Sequence, residues 1–171
     1  MKKIIAALLF LVPFSFCISA QQSSFQDTLL EHMAGNWILK GSIGSQETTH
    51  FIKAGWVLGH QYLQIKEVSR EKNSDGSPQY EAIVYIGWDQ PMGQYDCLWL
   101  DVTGGGGLSA PSIGHAGRNG NEIAFLFNGS DGSIFHTTFA YDQGTDSWQW
   151  LMDNEENGKL LPFARVMLTR K

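Results

Sequence analysis

The side chains best suited to metal ligation or nucleophilic attack are five histidines, at positions 32, 50, 60, 115 and 136, and Cys97. Their spacing supports neither chemistry. No His-Glu-x-x-His or Cys-x-x-Cys pair occurs, and no Gly-x-Ser-x-Gly elbow presents a serine. Cys97 alternates with Tyr95 and Trp99, the pattern of a small buried residue on a strand. Gly104 to Gly107 has the composition of a phosphate loop, but no Gly-Lys-Ser or Gly-Lys-Thr follows, so it reads as a connection between strands. Asp153, Glu155, Asn157 and Gly158 repeat the first half of a calcium loop, yet Ala164 stands where the bidentate glutamate belongs. Asp96, Asp101, His60 and Arg165 are acid-base candidates that only a fold can bring together. The sequence therefore names no catalytic residue, no metal ligand and no cofactor.

What the chain does offer is material for a binding pocket. Aromatic residues fall at alternate positions of β-type runs, giving each run one large apolar face, and pockets for small molecules are apolar and aromatic with a few orienting polar groups. His60 and Arg165 lie inside otherwise apolar runs, so if they point inward they need partners or a ligand. The candidate ligand-binding set is His60, Tyr62, Trp99, Phe125, Phe139, Trp150 and Arg165. His136 has the opposite parity to Phe135 and Phe139, which weakens its claim to an inward position.

These residues need strands to hold them. Alternation predicts about ten, over 36–43, 46–54, 56–68, 80–88, 94–101, 108–116, 121–128, 133–142, 146–153 and 159–170. Turn chemistry separates them at Ser74-Asp75-Gly76, Asp89 to Gly93, Asn119-Gly120, Asp131-Gly132, Gly144 and Asn157-Gly158. One helix is predicted over 24–33, with Phe25, Leu29, Leu30 and Met33 on one face, a cap at Ser23 or Ser24 and a stop at Gly35. The expected fold is all-β: a single antiparallel meander closed into a barrel, because an open meander of this length would leave two exposed edges.

Ahead of the domain, Lys2 and Lys3, the apolar run Ile4 to Phe16 and the small-residue exit Ile18-Ser19-Ala20 read as a signal peptide over 1–20. The run is too short to be a membrane span. Cleavage is expected before Gln21, with a lipoprotein modified at Cys17 as the alternative, and 21–171 forms one domain. Without Lys2 and Lys3 the balance is 10 basic against 17 acidic residues, or −7. Nucleic acid and anionic membrane surfaces are poor partners for such a chain. Only Cys97 remains after cleavage, so no disulfide forms within the chain.

Gly35-Asn36-Trp37, opening the first strand after the helix, resembles the Gly-x-Trp signature of the calycin barrels, the lipocalins and fatty-acid-binding proteins. Gly87-Trp88-Asp89, Gln94-Tyr95, Trp99-Leu100-Asp101 and the ending Val166-Met167-Leu168-Thr169-Arg170-Lys171 are similar to the bacterial domain of unknown function 1579 family. The likeness covers nearly all of 21–171. It implies a calycin-like barrel closed at one end by the helix, with Trp37 a packing residue covered by Arg170 or Arg165. The nitrobindin-like haem proteins share this barrel type and ligate iron near their C-terminal strands, but Lys159 to Lys171 contains no histidine, so His136 would have to substitute. The expected function is an exported, monomeric, periplasmic or extracellular barrel that holds a small apolar or amphipathic ligand. A haem protein or enzyme on the same scaffold, and a structural or interaction domain with a filled core, are the alternatives.

Overall fold

The computed structural model describes residues 25–104 and 107–171. The expected signal peptide, Cys17, the cleavage point at Gln21 and a cap at Ser23 or Ser24 lie outside the described residues. Helix α1 spans Thr28–Met33, later than predicted, because the cap is Asp27. Its carboxylate accepts from the backbone N–H groups of Leu29 and Leu30, both at 2.9 Å, satisfying donors that a first helical turn leaves unpaired.

Eleven strands follow: β1 Gly35–Ile43, β2 Gln46–Val57, β3 Tyr62–Ser69, β4 Glu81–Asp89, β5 Gln94–Asp101, β6 Ile113–Ala116, β7 Arg118–Asn119, β8 Glu122–Asn128, β9 Ile134–Asp142, β10 Ser147–Glu156 and β11 Lys159–Arg170. Consecutive strands pair antiparallel except β6 and β7, which each pair with β8, and β1 pairs with β11. The sheet is thereby a closed meander barrel of ten strands, and β7 is a two-residue strip on β8. Closure removes the exposed edges that a meander would otherwise present.

Two predicted strands change. The run 56–68 is not one strand: β2 ends at Val57, and Leu58, Gly59 and His60 all take left-handed φ values of 52, 67 and 67° before β3 begins at Tyr62. The run 108–116 is extended only from Ile113, after a 3₁₀ turn at Ala110–Ser112.

Alternation decides what enters the barrel. Trp37 and Leu39 of β1, Ile52 and Ala54 of β2, Leu63 and Ile65 of β3, and Val84 and Ile86 of β4 are buried. On the far wall Ile123 and Phe125 of β8, Phe139 of β9, Trp148 and Trp150 of β10, and Val166 and Leu168 of β11 meet them. Helix α1 closes one end, with Leu29, Leu30 and Met33 in the same core. Trp37 donates from Nε1 to the Met33 carbonyl at 2.8 Å, and the Arg170 guanidinium lies 3.7 Å over its ring. Arg170 also donates to the carbonyls of His32 and Ala34 and to Asp146. Gly35 has a φ of 135°, and a β-carbon there would collide with that guanidinium. The covering arginine is Arg170, one of the two the likeness implied.

Candidate functional site

The end of the barrel opposite α1 is hollow. A cavity of about 770 Å³ lies between β1, β2, β3 and β5 on one side and β8 to β11 on the other, below the loops that follow β3 and β5. Its apolar wall is formed by Ile43, Trp99, Phe127, Phe135, Met152 and Phe163. Phe135 and Phe163 meet edge to face with centroids 5.6 Å apart. Gly114 on β6 leaves room for the Phe127 ring, which lies closer to it than any β-carbon would permit.

The opposite wall is polar. His50 of β2 and Glu67 of β3 both point inward, with side chains only 4 and 3 % exposed, and His50 Nδ1 is bonded to Glu67 Oε1. His50 Nε2 lies 2.8 Å from Thr48 Oγ1, and that hydroxyl donates to Glu71 Oε2 at 3.2 Å. A hydroxyl has one proton. With it directed to Glu71, His50 Nε2 is left as the donor, and the chain runs from imidazole to hydroxyl to outer carboxylate. Tyr80 stacks on His50 with ring centroids 5.5 Å apart, receives the Trp99 indole N–H at 3.2 Å and donates to Asp101 Oδ2 at 3.3 Å. Burial, reinforced by the charge of Glu67, pushes the Tyr80 phenol well above its ordinary range. Glu71 is held below the usual carboxylate range chiefly by its own backbone N–H, with burial opposing and a smaller lowering contribution from Thr48.

One atom in this network has no partner. Glu67 Oε2 is buried and makes no hydrogen bond. A carboxylate oxygen in that state loses its hydration without replacement, so an occupant that donates to it is favoured. Carboxylate, imidazole and hydroxyl stand in the order of an acyl-transfer triad. Here, however, the hydroxyl faces a second carboxylate, and the backbone around Thr48 is committed to the ladder with β1.

The seven sequence candidates divide. Trp99 lines the cavity. Phe125, Phe139 and Trp150 are fully buried beneath it as a packed floor, Phe139 lying 5.7 Å from Phe125 and 4.7 Å from Trp150. Trp99 meets that floor at Trp150, 6.3 Å away. The other three stand elsewhere. Tyr62 is 44 % exposed on the outer face of β3, packed over Gly87. His60 sits in the turn before β3, near the closed end, stacked on Trp56 at 4.1 Å and bonded to Glu31 at 2.8 Å. Arg165 has the parity opposite to the buried Ala164 and Val166, and its guanidinium binds the carbonyls of Met152 and Ala164 and the carboxylate of Asp153.

His136 also points outward, to Glu155 at 2.8 Å, and both ring nitrogens of His50 are engaged, so neither is placed to ligate a haem iron. Cys97 is buried, and burial raises its thiol pKa far from reactive values. Among the described residues no three His, Cys, Asp or Glu side chains converge as metal ligands. No helix among them is long and apolar enough to cross a membrane.

His50, Glu67, Glu71 and Tyr80 were not singled out by sequence reasoning. The signal was present for Glu67, which shares the core parity of Leu63 and Ile65 on β3. Its partner depends on the β2–β3 register, which sets Ile52 opposite Glu67 and His50 opposite Ser69, and no motif encodes that. No protein-family model matches the chain, and no curated protein matches its sequence.

Proposed function

We propose that this barrel binds a small amphipathic molecule in its open end, and that it belongs to the domain of unknown function 1579 family it resembles. The observation that carries the reading is the cavity of about 770 Å³, with an aromatic wall on one side and a buried, half-unsatisfied carboxylate on the other. Its size falls among small-molecule sites, and its apolar lining with few polar groups is their usual composition. Burying about 200 Å² of ligand surface contributes about 5 kcal/mol before the costs of association. Trp99 is the reporter. Titrating ten-carbon amphiphiles into the delipidated protein is expected to change tryptophan fluorescence saturably at one site per chain, and Trp99→Phe to remove most of the change. A flat response to every amphiphile would end this reading.

The leader-like residues 1–20 support export to the periplasm or cell exterior. The intact mass of the exported chain is expected to begin at Gln21. A species beginning at a lipidated Cys17 would replace a soluble protein with an anchored one.

A further inference from the structure

The polar wall of the cavity has a definite sign. Glu67, Glu71 and Asp101 line it, His50 is the single base, and no Lys or Arg stands among its described lining residues. Even a fully protonated His50 leaves an excess of carboxylate. The arginine that sequence reasoning placed in the pocket, Arg165, faces outward and is bonded to Asp153. Carboxylate-headed amphiphiles would therefore enter against charge and lose their hydration without a cationic partner. Tyr80 and Trp99 also line the cavity, and aromatic rings attract cations, most strongly where water is excluded.

We propose that the cavity selects amphiphiles with a primary ammonium head, which donates to the unpartnered Glu67 Oε2 beside the rings of Tyr80 and Trp99 while the alkyl tail lies against Phe127, Phe135 and Met152. This rests on the ligand-binding reading and gives it a chemical class. Two geometric facts favour an ammonium over a neutral hydroxyl. The acceptor is buried in a side chain only 3 % exposed, where an unmet charge is costly, and two further carboxylates share the wall.

The test uses decylammonium, decanol and decanoate at neutral pH, below their aggregation thresholds, read by tryptophan fluorescence and calorimetry on the same delipidated protein. Decylammonium is expected to bind at least tenfold tighter than decanol, and decanoate weakest of the three. Glu67→Gln should bring decylammonium to within threefold of decanol. Because Glu67→Gln disturbs the bond to His50, Glu71→Gln at the outer part of the wall is the second variant, expected to cut the ammonium preference severalfold in a normally folded barrel. Decanol binding as tightly as decylammonium, or decanoate binding tightest, would overturn the head-group inference while leaving ligand binding intact. Failure of all three probes to bind would overturn both. A folded Glu67→Gln protein that keeps the full ammonium preference would remove Glu67 from the site and overturn the proposal as stated.

Discussion

The two ends of the barrel are built from the same strands with the same alternation, yet one is solid and the other hollow. At the closed end Trp37, Trp148, Tyr95 and Leu30 fill the interior, and although the Trp148 indole N–H has no hydrogen-bond partner, the charged groups there point to partners within the protein. Asp27 is the clearest case: it caps α1, takes the Tyr95 hydroxyl and is ion-paired with Arg118, so helix, β5 and the segment before β8 share one carboxylate. At the open end the inward positions carry Thr48, His50, Glu67, Ser69 and Thr137, too small or too polar to meet across the axis. Here a buried carboxylate keeps one oxygen unpaired. The comparison teaches that alternation determines which residues enter a barrel, whereas their size and charge, and whether a buried charged group is fully paired, determine whether the interior is core or site.

If that division is right, variants at the two ends should separate stability from binding. The largest loss is expected from Trp37→Ala, which removes a fully buried indole, its bond to Met33 and the surface on which Arg170 rests. Chemical denaturation should show a cost of about 3 to 5 kcal/mol, with amphiphile affinity unchanged under conditions where the protein remains folded. Loss of binding without loss of stability would merge the two ends again.

Asp27→Asn comes next, at about 2 kcal/mol, since it weakens a cap and a charged hydrogen bond together. Burial by itself would raise the Asp27 carboxyl, but hydrogen bonds from Tyr95, Leu30 and Arg118 hold it below the ordinary value. A carboxyl so depressed contributes stability that is fully present above its unfolded value, about 3.9, and is lost as pH falls through its native value. The gap between wild type and Asp27→Asn measured by urea unfolding should therefore be widest near neutrality and close below pH 4. A gap independent of pH would mean that the charge of Asp27 is not what locks the helix.

The smallest effect on stability is expected at the open end. Thr137→Phe places a ring in the cavity from a residue that lines it. The free energy of unfolding should change by less than about 1.5 kcal/mol, since added volume enters empty space and does not overpack a core, while amphiphile binding falls at least tenfold. A large destabilisation would show that this end is core after all.

The barrel itself was legible because strand parity and turn residues repeat along the chain, and eight of the ten predicted strand runs lie where the structure has them, give or take their ends. Of the two that change, the run 56–68 is instructive. Trp56 to Tyr62 carries no Asn, Asp or Pro, and its turn runs through Leu58, a residue that rarely adopts positive φ, beside Gly59 and His60. For the site, Trp99 was visible as an aromatic on an inward face. Phe125, Phe139 and Trp150 have the same local signature, and only their height along the axis separates floor from wall. Arg165 was misplaced although its neighbours Ala164 and Val166 show the inward parity, which makes it an outward residue by the same rule. The His50–Glu67 pair was hidden because it joins two strands on a diagonal that only the register reveals.

The pairing of β1 with β11 has a consequence for how the molecule is made. Seven residue pairs, from Trp37 with Arg170 to Ile43 with Ala164, join the first strand to the last. Such contacts are the most distant a chain can form, and topologies dominated by them fold slowly. While a ribosome is still synthesising this chain, β1 has one side paired to β2 and the other bare, and Trp37 waits uncovered until Arg170 emerges. Nascent chains halted before β11 should accordingly be captured by holdase chaperones and degraded readily, and release should coincide with emergence of the last strand.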